Sequence, residues 1–182
     1  MNYLMEILYT SLSIFVILIT FLYFFYFLVY IRNAFRKLPF VPIKKADMKR
    51  VTEIAGAREG DILYDLGSGD GRMLIEFAKK GLRCTGFELS AFYVALTNLK
   101  VRIRGLKNCR AEKKDMFEAD ISDADIVYFY LTQDFTMMFE ERLYKTLKKG
   151  TKVITYVFPI DGLTPKKMID IDGKRKVFLY EV

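Results

Sequence analysis

The sequence predicts an α/β fold, a mostly parallel sheet with helices packed on it, preceded by one helix of membrane-spanning length. Three observations predict it. From residue 62 onward, apolar runs of strand length alternate with helix-period segments, the pattern of βαβ units joined into a parallel sheet. A glycine-rich turn stands where the first of those runs ends and the next helix begins. Residues 7–31 carry no charged side chain.

That uncharged run comes first in the chain. Its 25 residues, at about 1.5 Å rise each, suffice to cross a hydrocarbon core of roughly 30 Å. Tyr30 closes it, followed by Arg32, Arg36, Lys37, Lys44, Lys45, Lys49 and Arg50, whereas the N-terminal side offers only Glu6 and the amino terminus. Positive-inside reasoning therefore places the C-terminal part in the cytoplasm, as a single-pass protein. The run is too long for a usual signal-peptide core, its basic cluster lies on the wrong side, and no small-residue cleavage site follows. The same cations suit the anionic headgroups of a lipid bilayer more simply than nucleic acid, because they are juxtamembrane. Residues 1–37 thus read as anchor and basic flank, and residues 38–182 as one folded domain.

Leu38-Pro39-Phe40-Val41-Pro42 reads as an extended strap, since each proline biases its predecessor away from helix. A short helix is expected over 46–55. Strands follow at 62–66, 83–89, 109–113, 126–131 and 152–158, with helices at 72–80, 91–104 and 136–147. The tail, 168–171 and 176–181 around Asp172-Gly173-Lys174, reads as an antiparallel hairpin because Asp-Gly supplies the turn.

Composition removes several chemistries. The 182 residues contain no histidine, which excludes a Ser-His-Asp triad, a histidine base and histidine-rich metal sites. Cys84 and Cys109 are spaced for neither zinc nor a disulfide framework and read as buried, reduced thiols. No metal site is expected. The net charge of +7 suits an anionic partner surface.

The chemistry concentrates in Asp65-Leu66-Gly67-Ser68-Gly69-Asp70-Gly71-Arg72, at a strand end where open α/β sheets bind ligands. Glycines at 67, 69 and 71 let backbone N–H groups approach a nucleotide-like molecule. A dinucleotide fingerprint would need glycine at 72, where arginine stands, and Asp65 and Asp70 would repel a pyrophosphate. S-adenosylmethionine (SAM) has no phosphate; its ammonium and sulfonium are attracted by carboxylates. Glu88 follows 23 residues after Asp65, near the spacing of a ribose-binding acid. Asp115 after the third strand is placed to hold the adenine amino group, with Met116 packed against the ring. The expected cofactor-binding set is Asp65, Gly67, Ser68, Gly69, Gly71, Glu88, Asp115 and Met116.

These strand-tip acids and the DLGSGDG loop resemble the class I SAM-dependent methyltransferases, over residues 39 to 182, which implies their Rossmann-like sheet. Pro39-Phe40-Val41-Pro42, DLGSGDGR, GFELS, Met137-Met138 ahead of Leu143 and Leu147, and Lys149-Gly150-Thr151 leading to Phe158-Pro159 are similar to a family of small protein-lysine methyltransferases. That group includes membrane-anchored enzymes acting on the ATP synthase c-subunit and the adenine nucleotide translocase, and archaeal relatives. The resemblance implies SAM as cofactor and a lysine of a protein, membrane proteins included, as acceptor. Many DNA and glutamine methyltransferases carry Asn/Asp-Pro-Pro-Tyr after the fourth strand; here Tyr130-Leu131-Thr132-Gln133 stands instead, which argues against nucleobase methylation. Tyr130, Thr132 and Gln133 are the expected catalytic residues, orienting the amine between apolar walls from Phe40 and Phe158. Met137 and Met138 read as helix packing. Two alternatives stay open: a methyltransferase for a lipid, quinone or other small amphiphile, and a non-catalytic SAM-binding membrane protein.

Overall fold

The computed structural model describes residues 2–34 and 41–182. They separate into two compact units, the first ending at Phe40 and the second running Val41–Val182. Helix α1, Asn2–Ala34, contains an apolar stretch, Met5–Tyr30, long enough to cross a membrane. Nearly all of its described apolar side chains are exposed, Phe21 by 71% and Tyr23 by 74%, unlike those of a helix in a water-soluble core.

The second unit begins with α2, Lys45–Ile54, then β1, Ile62–Leu66, α3, Arg72–Ala78, β2, Arg83–Glu88, α4, Ala91–Ile103, and β3, Cys109–Lys113. There follow β4, Ile126–Phe129, α5, Gln133–Thr146, β5, Lys152–Tyr156, β6, Lys167–Asp170, and β7, Lys176–Glu181. The seven strands lie in the order β3-β2-β1-β4-β5-β7-β6. β1 pairs in parallel with β2 and β4, while β7 runs antiparallel to both β5 and β6. The parallel sheet and the antiparallel tail hairpin are thus as expected. Strand order reverses between β1 and β4, and their C-terminal ends therefore open a crevice at the switch point.

Central strands covered on both faces must be apolar throughout, and β4 is: Ile126, Val127, Tyr128 and Phe129 are all buried. Phe77, Phe129, Leu63, Leu66, Leu74 and Ile126 are among the largest fully buried side chains, each contributing about 1.5–3 kcal/mol by leaving water. Cys84 and Cys109 sit opposite each other in neighbouring strands and are free and buried. Burial pushes the Cys109 thiol up to about 12, so neither is a nucleophile at neutral pH.

Several element ends differ from the sequence expectation, and they matter for the site. β4 stops at Phe129, so Tyr130 and Leu131 belong to the loop. α5 starts at Gln133, three residues early, because the Thr132 carbonyl accepts from the amides of Phe135 and Thr136 at 3.1 and 3.0 Å. β5 stops at Tyr156 because Val157 adopts φ 71°, a left-handed conformation costing a β-branched residue about 1–3 kcal/mol. Met137 and Met138 are 53% and 62% exposed. They do not pack into the domain as helix-packing residues would, because they lie on the outer face of α5. Pro39 and Phe40, expected to form strap and wall, lie outside the described residues.

Candidate functional site

The loop after β1 is held by its neighbour strand. The amides of Gly67 and Ser68 both donate to the Phe87 carbonyl, at 2.9 and 3.1 Å, which bends the chain toward β2. One Glu88 oxygen accepts from Gly69 N at 3.1 Å, and the other from Ser90 N at 2.7 Å. Glu88 therefore stands at the β2 tip, as expected, and also ties the glycine loop to the start of α4. Two glycines are required by space. A Cβ on Gly71, which has φ +74°, would lie 2.3 Å from Thr97 Cγ2. A Cβ on Gly86 would lie 2.6 Å from Ser68 Oγ. The chain passes only because both side chains are absent.

The charges divide into a clamp and a waiting group. Asp70 accepts from Arg72 Nε at 2.9 Å and Nη2 at 3.0 Å, and from Lys100 Nζ at 3.1 Å. Burial opposes ionisation of Asp70, yet these two cations hold its carboxyl below the usual range. Asp70 is thus paired within the loop, where the sequence suggested a carboxylate open to a cationic ligand. Arg72 also donates to the Ile43 carbonyl at 3.1 Å, fastening the segment before α2 to the loop. Asp65 is different. It is 2% exposed, and burial first, then the charges of Glu88 and Asp70, push its carboxyl up to about 8, against a backbone hydrogen bond with Leu74. Ser68 Oγ is buried with no partner among the described residues. A buried acid strained by like charge, beside an unsatisfied hydroxyl, fits a ligand bearing a cation and hydrogen-bonding groups.

Asp115 follows β3 by two residues and accepts from Phe117 N at 2.9 Å through one oxygen; Met116 beside it is buried. Across the switch point, Leu66 is in register with Phe129, which puts Gly67 and Tyr130 at matching strand ends. Leu131 Cδ2 covers Gly67, 3.3 Å from where a Cβ would stand. Tyr130 is half-buried, burial raises its hydroxyl pKa, and no described residue hydrogen-bonds that hydroxyl. Thr132 is half-buried and caps α5 through its carbonyl. Gln133 donates its amide to Asp161 at 2.8 Å and to the Pro159 carbonyl at 3.4 Å.

Behind Tyr130 lies a group that the sequence reading passed over. Tyr156 at the β5 tip donates its hydroxyl to Asp47 of α2 at 2.6 Å, and Arg175 also bonds Asp47. Asp47 is 3% exposed. The signal was present: Asp47 falls on the same helical face as Met48, Val51 and Ile54, and an acid on an apolar stripe calls for a buried partner.

A family model described as the ANTKMT methyltransferase domain matches residues 65–167. A protein-lysine N-methyltransferase of Saccharolobus islandicus is 35% identical over 152 residues, covering 80% of this chain and 94% of that protein. The human lysine N-methyltransferase of the ATP synthase C-subunit is 29% identical over 84% of the chain, which spans 66% of it. Among solved structures, an RNA methyltransferase from Salinibacter ruber in complex with S-adenosyl-L-homocysteine aligns with TM-score 0.74 and 31% identity, over 78% of this chain and 93% of that one.

Proposed function

The chain belongs to the ANTKMT methyltransferase domain family and is a SAM-dependent methyltransferase, and from that premise we propose that it methylates the ε-amine of lysine in a protein. The observation that carries the reading is the placement, on the two sides of the switch point, of buried Asp65 with half-buried Glu88 and of the half-buried Tyr130.

In this proposal Asp65, Gly67, Ser68, Gly69, Gly71, Glu88, Asp115 and Met116 hold SAM. Asp65 pairs with its ammonium, Glu88 keeps lone pairs for the ribose hydroxyls, and Asp115 with Met116 frames the adenine. Bound SAM supplies an electrophilic methyl on sulfur. The chain's task is alignment and supply of a neutral amine. Burial of the acceptor lysine disfavours its charged form; its proton leaves to solvent, and the nitrogen's lone pair forms the new N–C bond as the S–C bond breaks. The Tyr130 hydroxyl orients that nitrogen, with Thr132, Gln133 and Phe158 shaping the approach. No histidine is needed.

Relatives named for the ATP synthase C-subunit and the adenine nucleotide translocase support a membrane protein as acceptor. We place residues 1–37 as a bilayer-spanning anchor with its basic flank, and the catalytic domain from residue 38 on the cytoplasmic side. The test is to incubate full-length protein with native membranes, RNA and labelled SAM. Label in protein that survives lipid extraction is expected. Label only in the organic phase would point to an amphiphile, and label only in RNA to the activity named for the Salinibacter neighbour.

A further inference from the structure

Helix α4 has two apolar faces, and only one is used. Thr97 and Val101 are buried against the sheet, and Asn98 bonds both the N–H and the carbonyl of Ala111, at 2.8 and 2.9 Å. On the opposite side, Phe92, Leu96, Leu99 and Ile103 recur at the helical period and form a single line. Phe92 is 62%, Leu99 55% and Ile103 74% exposed, Leu96 between them is half-buried, and Leu89 just ahead of the helix is 52% exposed. A contiguous exposed apolar line marks an interaction site rather than scattered surface residues.

Its surroundings are one-signed. Residues 91–110 carry five Lys/Arg and no Asp/Glu. Lys100 is committed to Asp70 and Arg110 to Glu112 at 2.7 Å, which leaves Arg102, Arg104 and Lys107 around the exposed end of the line. Leu89, Leu96, Leu99 and Ile103 give a polyanion such as RNA nothing to bind and Phe92 alone offers a ring on which a base could stack, whereas a protein groove would not require three cations beside them. Apolar line and cationic border together match an anionic bilayer leaflet, into which such a helix sinks its apolar side chains while the cations meet headgroups.

We propose that α4 is a membrane-docking face, which seats the catalytic domain on an anionic leaflet with Phe92, Leu99 and Ile103 inserted and Arg102, Arg104 and Lys107 on lipid phosphates. The proposal deepens the membrane placement argued above. Ten residues separate Tyr30 from Val41, at most about 35 Å of chain, so an anchored domain never leaves the leaflet's vicinity and weak docking suffices. α4 starts three residues after Glu88, so Leu89 and Phe92 lie at the cofactor-binding end of the line and Ile103, with Arg102, Arg104 and Lys107, at its far end.

The test uses the full chain with Ile103→Cys carrying an environment-sensitive dye; Cys84 and Cys109 are buried and stay unlabelled. In nanodiscs containing phosphatidylglycerol, the probe should shift to the blue and be quenched by lipids brominated in their acyl chains. A probe at the exposed Lys149, as Lys149→Cys, should do neither. Discs of phosphatidylcholine alone should weaken the effect, and Arg102→Gln, Arg104→Gln and Lys107→Gln should each lower the docked-to-free ratio by about fivefold. SAM-induced thermal stabilisation of each variant reports that it is folded. An Ile103 probe as solvated as the Lys149 probe in anionic discs overturns the proposal. So does a blue shift that grows with protein concentration, meaning a second copy, or one produced by RNA without lipid. A chain that fails to enter discs counts against the anchor instead, and anionic vesicles added to the same labelled chain then decide the face.

Discussion

The ring of Tyr130 meets that of Tyr156 edge-on with centroids 4.8 Å apart, so the β4-tip tyrosine whose hydroxyl has no described partner is braced by one whose hydroxyl is committed to Asp47. Edge-to-face contact fixes the ring and leaves the hydroxyl open, as the proposed role in orienting the acceptor requires. Tyr130→Phe keeps the ring and that contact. Turnover should fall roughly ten- to a hundredfold, about 1.4–2.7 kcal/mol in the barrier, with SAM affinity and melting temperature nearly unchanged. Full turnover in steady-state assays with labelled SAM would reduce Tyr130 to packing and turn attention to Thr132 and Gln133.

Tyr156→Phe should do the reverse. It removes the hydroxyl bonded to a buried carboxylate, and an acceptor left short of a partner costs about 1–3 kcal/mol. Arg175 still bonds Asp47, so the lower part of that range is expected. Urea unfolding should show a lower midpoint at unchanged slope; an unshifted midpoint would mean that Arg175 alone satisfies Asp47.

Glu88→Ala deletes the expected ribose partner and also frees the amides of Gly69 and Ser90. SAM binding should weaken on the order of ten- to a hundredfold. In a thermal-shift assay SAM or its demethylated product should stabilise the wild-type chain and NAD should not. Stabilisation by NAD equal to that by SAM would contradict the assignment of the acids.

Much of this was legible in the sequence, because strands buried on both faces and helices against them leave a period that short loops do not obscure. Asp65, Glu88 and Asp115 stand at strand tips because sequence order and the parallel register oblige them to. The rest depended on contacts between distant residues. Asp70 looked like Asp65 until the fold brought Lys100 to it, 30 residues on. Asp47 of α2 meets Tyr156 of β5 and Arg175 of the β6–β7 turn, 109 and 128 residues away, a juxtaposition no local pattern records. The exposed side of α4 was hidden for another reason: a helix apolar on both faces reads as an ordinary core helix until one sees which face the sheet covers.

Removing residues 1–37 should separate catalysis from location. The core of the second unit is built from residues beyond Phe40, so a soluble, folded protein is expected, one that still methylates a short lysine peptide. Transfer to a substrate reconstituted in membranes should drop, since the proposed anchor would confine enzyme and acceptor to one surface. Equal rates for truncated and full-length protein on that substrate would contradict the anchor's role.

Asp65 gives the protein a pH dependence whose sign can be worked out. Its carboxyl has an ordinary value of 3.8 and is pushed up to about 8 in the fold, by burial above all. Between those values the folded chain keeps a proton that the unfolded chain has released. The stability that Asp65 allows is therefore complete below about pH 4 and is lost as pH rises through 8, at up to about 1.4 kcal/mol per pH unit. Asp65→Asn keeps the shape and the acceptor for Leu74 but removes the buried charge. The cofactor-free variant should melt higher than wild type near pH 7.5, with a gap that closes toward pH 4. SAM binding should be severely weakened in the same variant, because its ammonium loses the carboxylate that justifies the strain. In the wild type, binding should strengthen from pH 6 to 8 and release a proton, visible by calorimetry in buffers of different ionisation enthalpy. Parallel melting profiles for Asp65→Asn and wild type across that pH range would show that the carboxylate is not held protonated, and the ammonium assignment would lose its physical basis.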